Sequence, residues 1–237
     1  MKKVILFAFA ILMVIAGVQA QNKPRANKIK QSAESDMPTT MSSAANTNNV
    51  ITLEKPQVGM DVPLHEAFDN RRTVRNFSPE RLDPPLISSL LWSAYGINRR
   101  EADLRVVPSA MNVQEFDIYL FNEEGAYLYD AHKNTLTLVA EGDLRQKISP
   151  QPHFAKAPVS IVIVANYDRM TKFKKEADRD FYAAVDCGYV SQNIYLFCAS
   201  ANLGTVACGG INREEIAQIL KIKNGSALLA HPVGFVK

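Results

Sequence analysis

The run Val159-Ser160-Ile161-Val162-Ile163-Val164-Ala165 carries no charge and is dominated by β-branched side chains. Such residues pack well on a pleated surface, and a run without polar alternation has no face to give to water. It predicts a central strand buried on both sides. A chain with that strand must build a sheet with packed layers above and below it. Phe116–Phe121 reads as a neighbouring strand, Glu123-Glu124-Gly125 as a turn, and Ala126–Tyr129 as the returning strand. Thr135–Val139 is a third, which makes an antiparallel meander. Leu228–Val236 reads as the last strand, and Pro232 within it predicts an edge position or a bend.

Helical periods interrupt these strands. Asp83 is a good N-cap, Pro84 and Pro85 suit a first turn, and Leu86, Ile87, Leu90, Leu91, Ala94 and Tyr95 form an apolar stripe ending at Gly96. A long helix is predicted over about Asp180 to Asn202. There Ala183, Ala184, Cys187, Gly188 and Ser191 put small groups on adjacent turns, as in a core helix or a dimer interface. Asn212 with Glu215 predicts a capping box for a shorter helix. Strands and helices mix without strict alternation, so the fold class is α+β.

The first 20 residues stand apart. Lys2 and Lys3 precede an apolar run from Val4 to Val18, and Val18-Gln19-Ala20 supplies small residues for cleavage. That pattern is a secretory signal peptide, and its apolar run falls short of the roughly 20 residues that span a bilayer. Residues 21–50 are polar and read as a flexible linker. The folded domain is predicted over 51–237, and the mature protein is expected outside the cytoplasm, periplasmic or extracellular, with no stable membrane span. Taking Lys2 and Lys3 from the 27 basic residues leaves 25 against 24 acidic ones, about +1. A nucleic-acid binder would show a larger basic excess.

Cys187, Cys198 and Cys208 are too few and wrongly spaced for a zinc site, and no histidine stands at metal-ligand spacing from another. No metal is expected. Cys187 and Cys198 would lie roughly 16 Å apart on one helix, too far to bridge. The three are read as structural, with one pairing through Cys208 left open. His231 reads as a satisfied core group, His132 as part of a turn, and Asp186 as a structural residue able to pair with an arginine. The nucleotide-binding glycine fingerprints and the serine nucleophile elbow are absent from the sequence.

Three segments carry candidate chemistry. In Arg71-Arg72-Thr73-Val74-Arg75-Asn76-Phe77, an extended backbone sends residues 71, 73 and 75 to one side. Two guanidinium forks and a hydroxyl there suit a phosphate monoester, although a solvated basic turn would look the same. Pro108-Ser109-Ala110-Met111-Asn112-Val113-Gln114 offers donors and acceptors from a bend, or is simply a polar loop. Leu203-Gly204-Thr205-Val206-Ala207-Cys208-Gly209-Gly210 allows close backbone approach to a flat ligand, or is simply a turn.

From about Asn70 to Phe235 the chain resembles the FMN-dependent nitroreductase superfamily, and looks closest to its SagB-type dehydrogenase branch. Arg71–Phe77 is similar to R-R-S-x-R-x-F, with Thr73 for serine. Leu90-Leu91-Trp92-Ser93-Ala94-Tyr95-Gly96 is similar to L-L-W-A-x-x-G, and Gly188–Leu196 to G-x-x-x-Q-N-x-x-L. Pro108–Asn112, Leu203-Gly204-Thr205 and Pro232-Val233-Gly234-Phe235 complete the series in order. The resemblance implies a nitroreductase-like fold: a central mixed sheet flanked by helices, in an interdigitated homodimer with FMN at the interface. It implies that Arg71, Arg72, Thr73 and Arg75 hold the phosphate and ring edge, that Ser109, Met111, Asn112 and Gln114 come from the partner, and that Gly209 and Gly210 lie against the flavin. The expected function is an exported FMN oxidoreductase acting on a small organic substrate. A non-catalytic flavin- or ligand-binding protein on the same fold is the alternative. No residue is singled out as catalytic. Tyr167 to Tyr182 holds no match to the Lys-Tyr pair of azoline-oxidising members, so azoline oxidation is not implied.

Overall fold

The structure is a computed structural model and describes residues 49–57 and 62–237. The predicted signal peptide and nearly all of the predicted linker lie outside the described residues. Among the described residues no helix is long and apolar enough to cross a membrane.

The strands are β1 (Val50–Thr52), β2 (Ile97–Arg99), β3 (Leu104–Arg105), β4 (Phe116–Phe121), β5 (Gly125–Asp130), β6 (Thr135–Glu141), β7 (Val159–Asn166), β8 (Leu203–Thr205) and β9 (Gly225–Phe235). The helices are α1 (Leu64–Asn70), α2 (Pro84–Tyr95), α3 (Arg145–Ile148), α4 (His153–Lys156), α5 (Glu176–Ser200) and α6 (Arg213–Leu220). Seven strands form one sheet in the order β1-β6-β5-β4-β7-β9-β8. Each of its pairings is antiparallel, where a mixed sheet was expected. The predicted meander is β4-β5-β6, and β2 and β3 pair separately.

β7 lies between β4 and β9, and its first seven residues are all buried. Its period of two sorts them between two cores. Val159, Ile161, Ile163 and Ala165 meet a cluster with Leu90, Leu91 and Ala94 of α2 and Val190 and Ile194 of α5. Val162 and Val164 meet the other cluster, with Ile148, Phe154, Ile216 and Leu220 from the short helices α3, α4 and α6.

The α2 start behaves as its sequence dictates. Asp83 Oδ1 accepts from the Leu86 N–H at 2.9 Å, with prolines at the first helical positions. α5 buries Ala183, Asp186, Cys187, Val190, Ser191, Ile194, Phe197 and Cys198, a repeat of three or four residues. The predicted stripe of small residues therefore divides: Ala183, Cys187 and Ser191 face the core, while Ala184 and Gly188 face outward. All three cysteines are buried and free, so the open question of a bridge through Cys208 is closed.

Two local expectations are corrected. Asn212 is the N-cap of α6 but makes no side-chain cap bond. Its Nδ2 donates to the Lys147 carbonyl at 3.1 Å, and Glu215 instead forms an ion pair with Lys147 at 2.9 Å. Tertiary partners have taken both members of the box. Pro232 likewise sits in an inner strand, opposite Ser160 of β7, with β8 on the other side. Ala230 exchanges two backbone bonds with Cys208, at 2.8 and 3.0 Å. Two residues further on, Pro232 turns its nitrogen the same way. It faces Val206 in that register, so the one bond it cannot donate falls in the unpaired step between Thr205 and Cys208.

Ile163 is fully buried under α2 and α5. Ile163→Ala is expected to destabilise the protein by about 2–5 kcal/mol, the range for emptying a packed site. Chemical denaturation measures it; a loss below about 1 kcal/mol would show that this strand is not the packed centre.

Candidate functional site

Residues 71–77 leave α1 and run beside the β8–β9 edge. The Val74 N–H donates to the Thr205 carbonyl at 2.9 Å, Ser78 N–H to Phe235 at 2.8 Å, and Phe77 bridges Val236. This pinned, extended path produces the predicted alternation. Val74 packs directly on Gly204, where a Cβ would come within 2.6 Å of Val74 Cγ1. Arg72 and Val74 line a hollow of about 330 Å³ with Cys198 and Leu203, and Arg72 Nε donates to the Asn70 carbonyl at 3.3 Å.

Arg71, Thr73 and Arg75 take the other side. The Arg71 guanidinium stands 5.4 Å from the centre of the Tyr195 ring, and Thr73 Oγ1 lies 3.3 Å from Tyr195 Oη. Arg75 lies close enough to Cys208 and His153 for its charge to act on both. Among the described residues neither Arg71 nor Arg75 has a carboxylate partner. Both are exposed. Two free guanidinium forks beside a hydroxyl form a surface with donors to spare.

Tyr195 of α5 ties this segment to the glycine loop. Its Oη accepts from the Ala207 N–H at 2.9 Å while meeting Thr73. Its ring stands edge-on to His231 at 5.5 Å. His231 is fully buried, as the sequence suggested, with Nε2 2.9 Å from Ser191 Oγ and Nδ1 3.2 Å from Thr205 Oγ1. Burial pushes its pKa down to about 3, so it is neutral at all ordinary pH values. A neutral, doubly bonded imidazole thus fixes the floor under Tyr195.

Beyond Cys208 the backbone turns outward. Gly209 and Gly210 are exposed, and a Cβ on Gly209 would meet only Leu229 Cδ2, at 3.7 Å. The Gly210 carbonyl accepts from Ser149 Oγ at 2.7 Å, which anchors the loop from behind. Cys208 Sγ lies 3.5 Å from His153 Nε2. Burial, then the Arg75 charge, holds His153 below the usual imidazole range. Burial also pushes the Cys208 thiol up, against the pull of Arg75. Nothing local marked Tyr195 or His153 for these roles, since their partners lie 12 to 122 residues away in sequence.

The third segment is elsewhere in the chain. Its Ala110 N–H donates to Asp186 Oδ2 at 2.7 Å. Asp186 therefore holds a backbone amide, where an arginine was considered. Along α5 it stands nine residues from Tyr195, about 13 Å. Met111, Asn112 and Gln114 have φ of 52°, 51° and 49°. Side-chain-bearing residues seldom adopt such backbones unless their surroundings impose them. Met111 is 52% exposed. The Ser109 hydroxyl accepts from the Gln114 N–H at 3.0 Å, and Lys172 Nζ donates to the Met111 carbonyl at 2.9 Å. The Gln114 side chain is engaged within the chain, accepting from Arg105 Nε at 2.9 Å and donating to the Asp103 carbonyl at 2.7 Å. Within one chain the structure joins Arg71, Thr73 and Arg75 to the loop of Gly209 and Gly210. It leaves Ser109, Met111, Asn112 and Gln114 apart from them and turns Arg72 away.

Comparison with known proteins identifies the family. The model of the Nitroreductase family matches residues 69–235. A candidate nitroreductase of Methanocaldococcus jannaschii is 33% identical over 185 residues, covering 73% of this chain and 91% of that protein. The crystal structure of a candidate nitroreductase from Ralstonia eutropha superposes with a TM-score of 0.75 at 31% identity, over 82% of this chain and 92% of that one. The NADPH:FMN oxidoreductase of Vibrio harveyi, solved with NAD+, shares the fold at a TM-score of 0.54 and 18% identity, over 73% and 69% of the two chains. The chain belongs to the nitroreductase family.

The two glycines of the site separate fold from ligand. Gly209→Ala is expected to shift stability by no more than about 0.5 kcal/mol. Gly204→Ala drives a methyl into Val74 and is expected to cost about 1–3 kcal/mol. Thermal unfolding of both variants decides, and equal losses would mean that Gly209 is not facing open space.

Proposed function

We propose that this protein is an exported FMN-dependent oxidoreductase of the SagB-type dehydrogenase branch, acting as a homodimer on a small organic substrate. The observation that carries it is the trio Arg71, Thr73 and Arg75, without carboxylate partners among the described residues: Arg71 and Thr73 meet Tyr195, whose hydroxyl bonds Ala207, and Arg75 acts on Cys208 at the head of a glycine loop with open space above it. These donors fit a phosphate monoester, and the exposed Gly209–Gly210 backbone fits a flat ring. FMN, when bound, supplies the redox chemistry by taking and passing on a hydride. The chain's own part is to bind the phosphate, orient the ring and offer a backbone N–H to its edge.

Ser109, Met111, Asn112 and Gln114 join the site from the partner subunit in this proposal. Their distance from Arg71 within one chain supports that assignment. So does the outer face of α5, where Phe181, Tyr182, Val185 and Tyr189 are exposed and a methyl added at Gly188 would have nothing within 4 Å. Aromatic residues on a helix face around a glycine suit close packing of a second helix. Sedimentation of the purified protein is expected to give a dimer, and Tyr189→Asp is expected to shift it toward monomer. A monomeric wild type would remove the second half of the site.

Flavin binding tests the proposal directly. Titrating apoprotein with FMN and following flavin fluorescence should give a saturable, stoichiometric complex. Arg75→Ala removes a charge-assisted contact of about 1.5–3 kcal/mol and should weaken binding about ten- to hundredfold. Tyr195→Phe keeps the ring and loses both hydroxyl contacts, with a smaller loss expected. FMN that binds Arg75→Ala as tightly as wild type would defeat the phosphate assignment. Outside the cytoplasm NAD(P)H is scarce, so the flavin is expected to be reduced by an organic substrate or an exported donor. Stopped-flow mixing with NADPH should leave the flavin oxidised, and rapid bleaching would contradict this choice of reductant.

A further inference from the structure

Glu115 lies between the Ser109–Gln114 loop and β4, fully buried, and among the described residues neither of its carboxyl oxygens has a hydrogen-bond partner. Asp186 of α5, also buried, is beside it and accepts the Ala110 N–H of that loop at 2.7 Å. The other titratable or charged groups around Glu115 are Cys187 of α5, Tyr95 of α2 and Arg169 of the turn after β7. None is hydrogen-bonded to it. Tyr95 Oη accepts from the Phe116 N–H at 3.2 Å, and Arg169 donates to the Phe116 carbonyl at 3.1 Å and to Asp117 Oδ1 at 2.6 Å. Burial pushes the Cys187 thiol up to about 12, with Glu115 adding to the shift.

Two ionised carboxylates side by side set acceptor against acceptor, which leaves both Glu115 oxygens unpaired. One proton changes this: Glu115 becomes a donor, and Asp186 is the acceptor within its reach. We propose that Asp186 is a positioning residue for the Ser109–Gln114 loop, and that a proton shared with Glu115 keeps it in place, so that the loop loosens when the proton is lost. The loop depends on such support, because Met111, Asn112 and Gln114 all hold left-handed backbones.

The direction follows from linkage. Burial first, and the Asp186 charge next, raise the Glu115 carboxyl from 4.5 to about 7. A raised carboxyl favours the closed loop in full below its ordinary value, and that advantage disappears as pH climbs to about 7. The inference rests on the proposed function only for its consequence: if the loop serves flavin, FMN should bind more weakly across the same interval.

Amide hydrogen exchange on the full chain without added flavin tests it between pH 5 and pH 8, corrected for intrinsic exchange. Protection of the Ala110 amide should fall about tenfold or more in wild type over that interval. In Glu115→Gln the side-chain amide donates to Asp186 at every pH, so protection should be flat. Unchanging protection in wild type would overturn the proposal. Should Glu115→Gln fail to fold, carbon-13 carboxyl shifts of wild-type protein decide: a Glu115 midpoint well above 5 supports the shared proton, and one near 4.5 overturns it. FMN affinity measured alongside separates the two claims. Absence of FMN binding at any pH would defeat the proposed function while the exchange result still stands on its own.

Discussion

Burial of β7 on both faces is the constraint on which the rest depends. A strand with no polar face cannot close a one-sided sheet, so the chain must supply two covers. It does so unequally. α2 and α5 form a thick layer on one side, while the short helices α3, α4 and α6 cover the other. The unequal layering places the site. α5 is the long rigid element, and it carries Tyr195 toward one loop and Asp186 toward another. The two halves of the candidate site are thus set by positions on one helix whose inner face is locked into the core.

The candidate site uses backbone and side chains differently. On the arginine side the backbone is pinned to β8 and β9, which leaves the guanidinium groups unpaired and available. On the Ser109 side the backbone is strained, and side chains are spent restraining it: Ser109, Asp186, Lys172, Arg105 and Gln114 all bond within or onto the loop. A strained loop held by polar contacts is sensitive to the charge state of its anchors. A pinned extended segment is not. The two halves should therefore respond to solution conditions in different ways.

Much of the fold was legible because it obeys short periods. β4 was expected at its observed limits, the two-sided burial of β7 followed from its missing polar residues, and Asp83 with its prolines announced α2. The failures share a cause. Asn212 and Glu215 have the spacing of a capping box, yet Lys147, more than sixty residues earlier, bonds both. Pro232 suggests an edge because pairing on both sides is the ordinary state of an inner strand, and only the unpaired step opposite Val206 shows how it is tolerated. At the site, the alternation of Arg71, Thr73 and Arg75 was legible from the period of an extended segment, and the same period explains why Arg72 points elsewhere. The isolation of Glu115 had no sequence signal, since a glutamate before a strand is ordinarily solvated. Only the arrival of α5 makes it a buried acid beside another.

Pro232 has an effect beyond its own strand. On either side of it the outer ladder keeps one register, at Thr205–Val233 and at Cys208–Ala230. A nitrogen without hydrogen leaves that ladder open for one step, opposite Val206 and beside Ala207. The unpaired stretch is the one whose Ala207 amide meets Tyr195, and the exposed glycines follow once Cys208 has rejoined the sheet. The ring of one imino acid, by withholding a bond from the sheet, thereby leaves a one-step opening in its outer ladder just before the glycine loop.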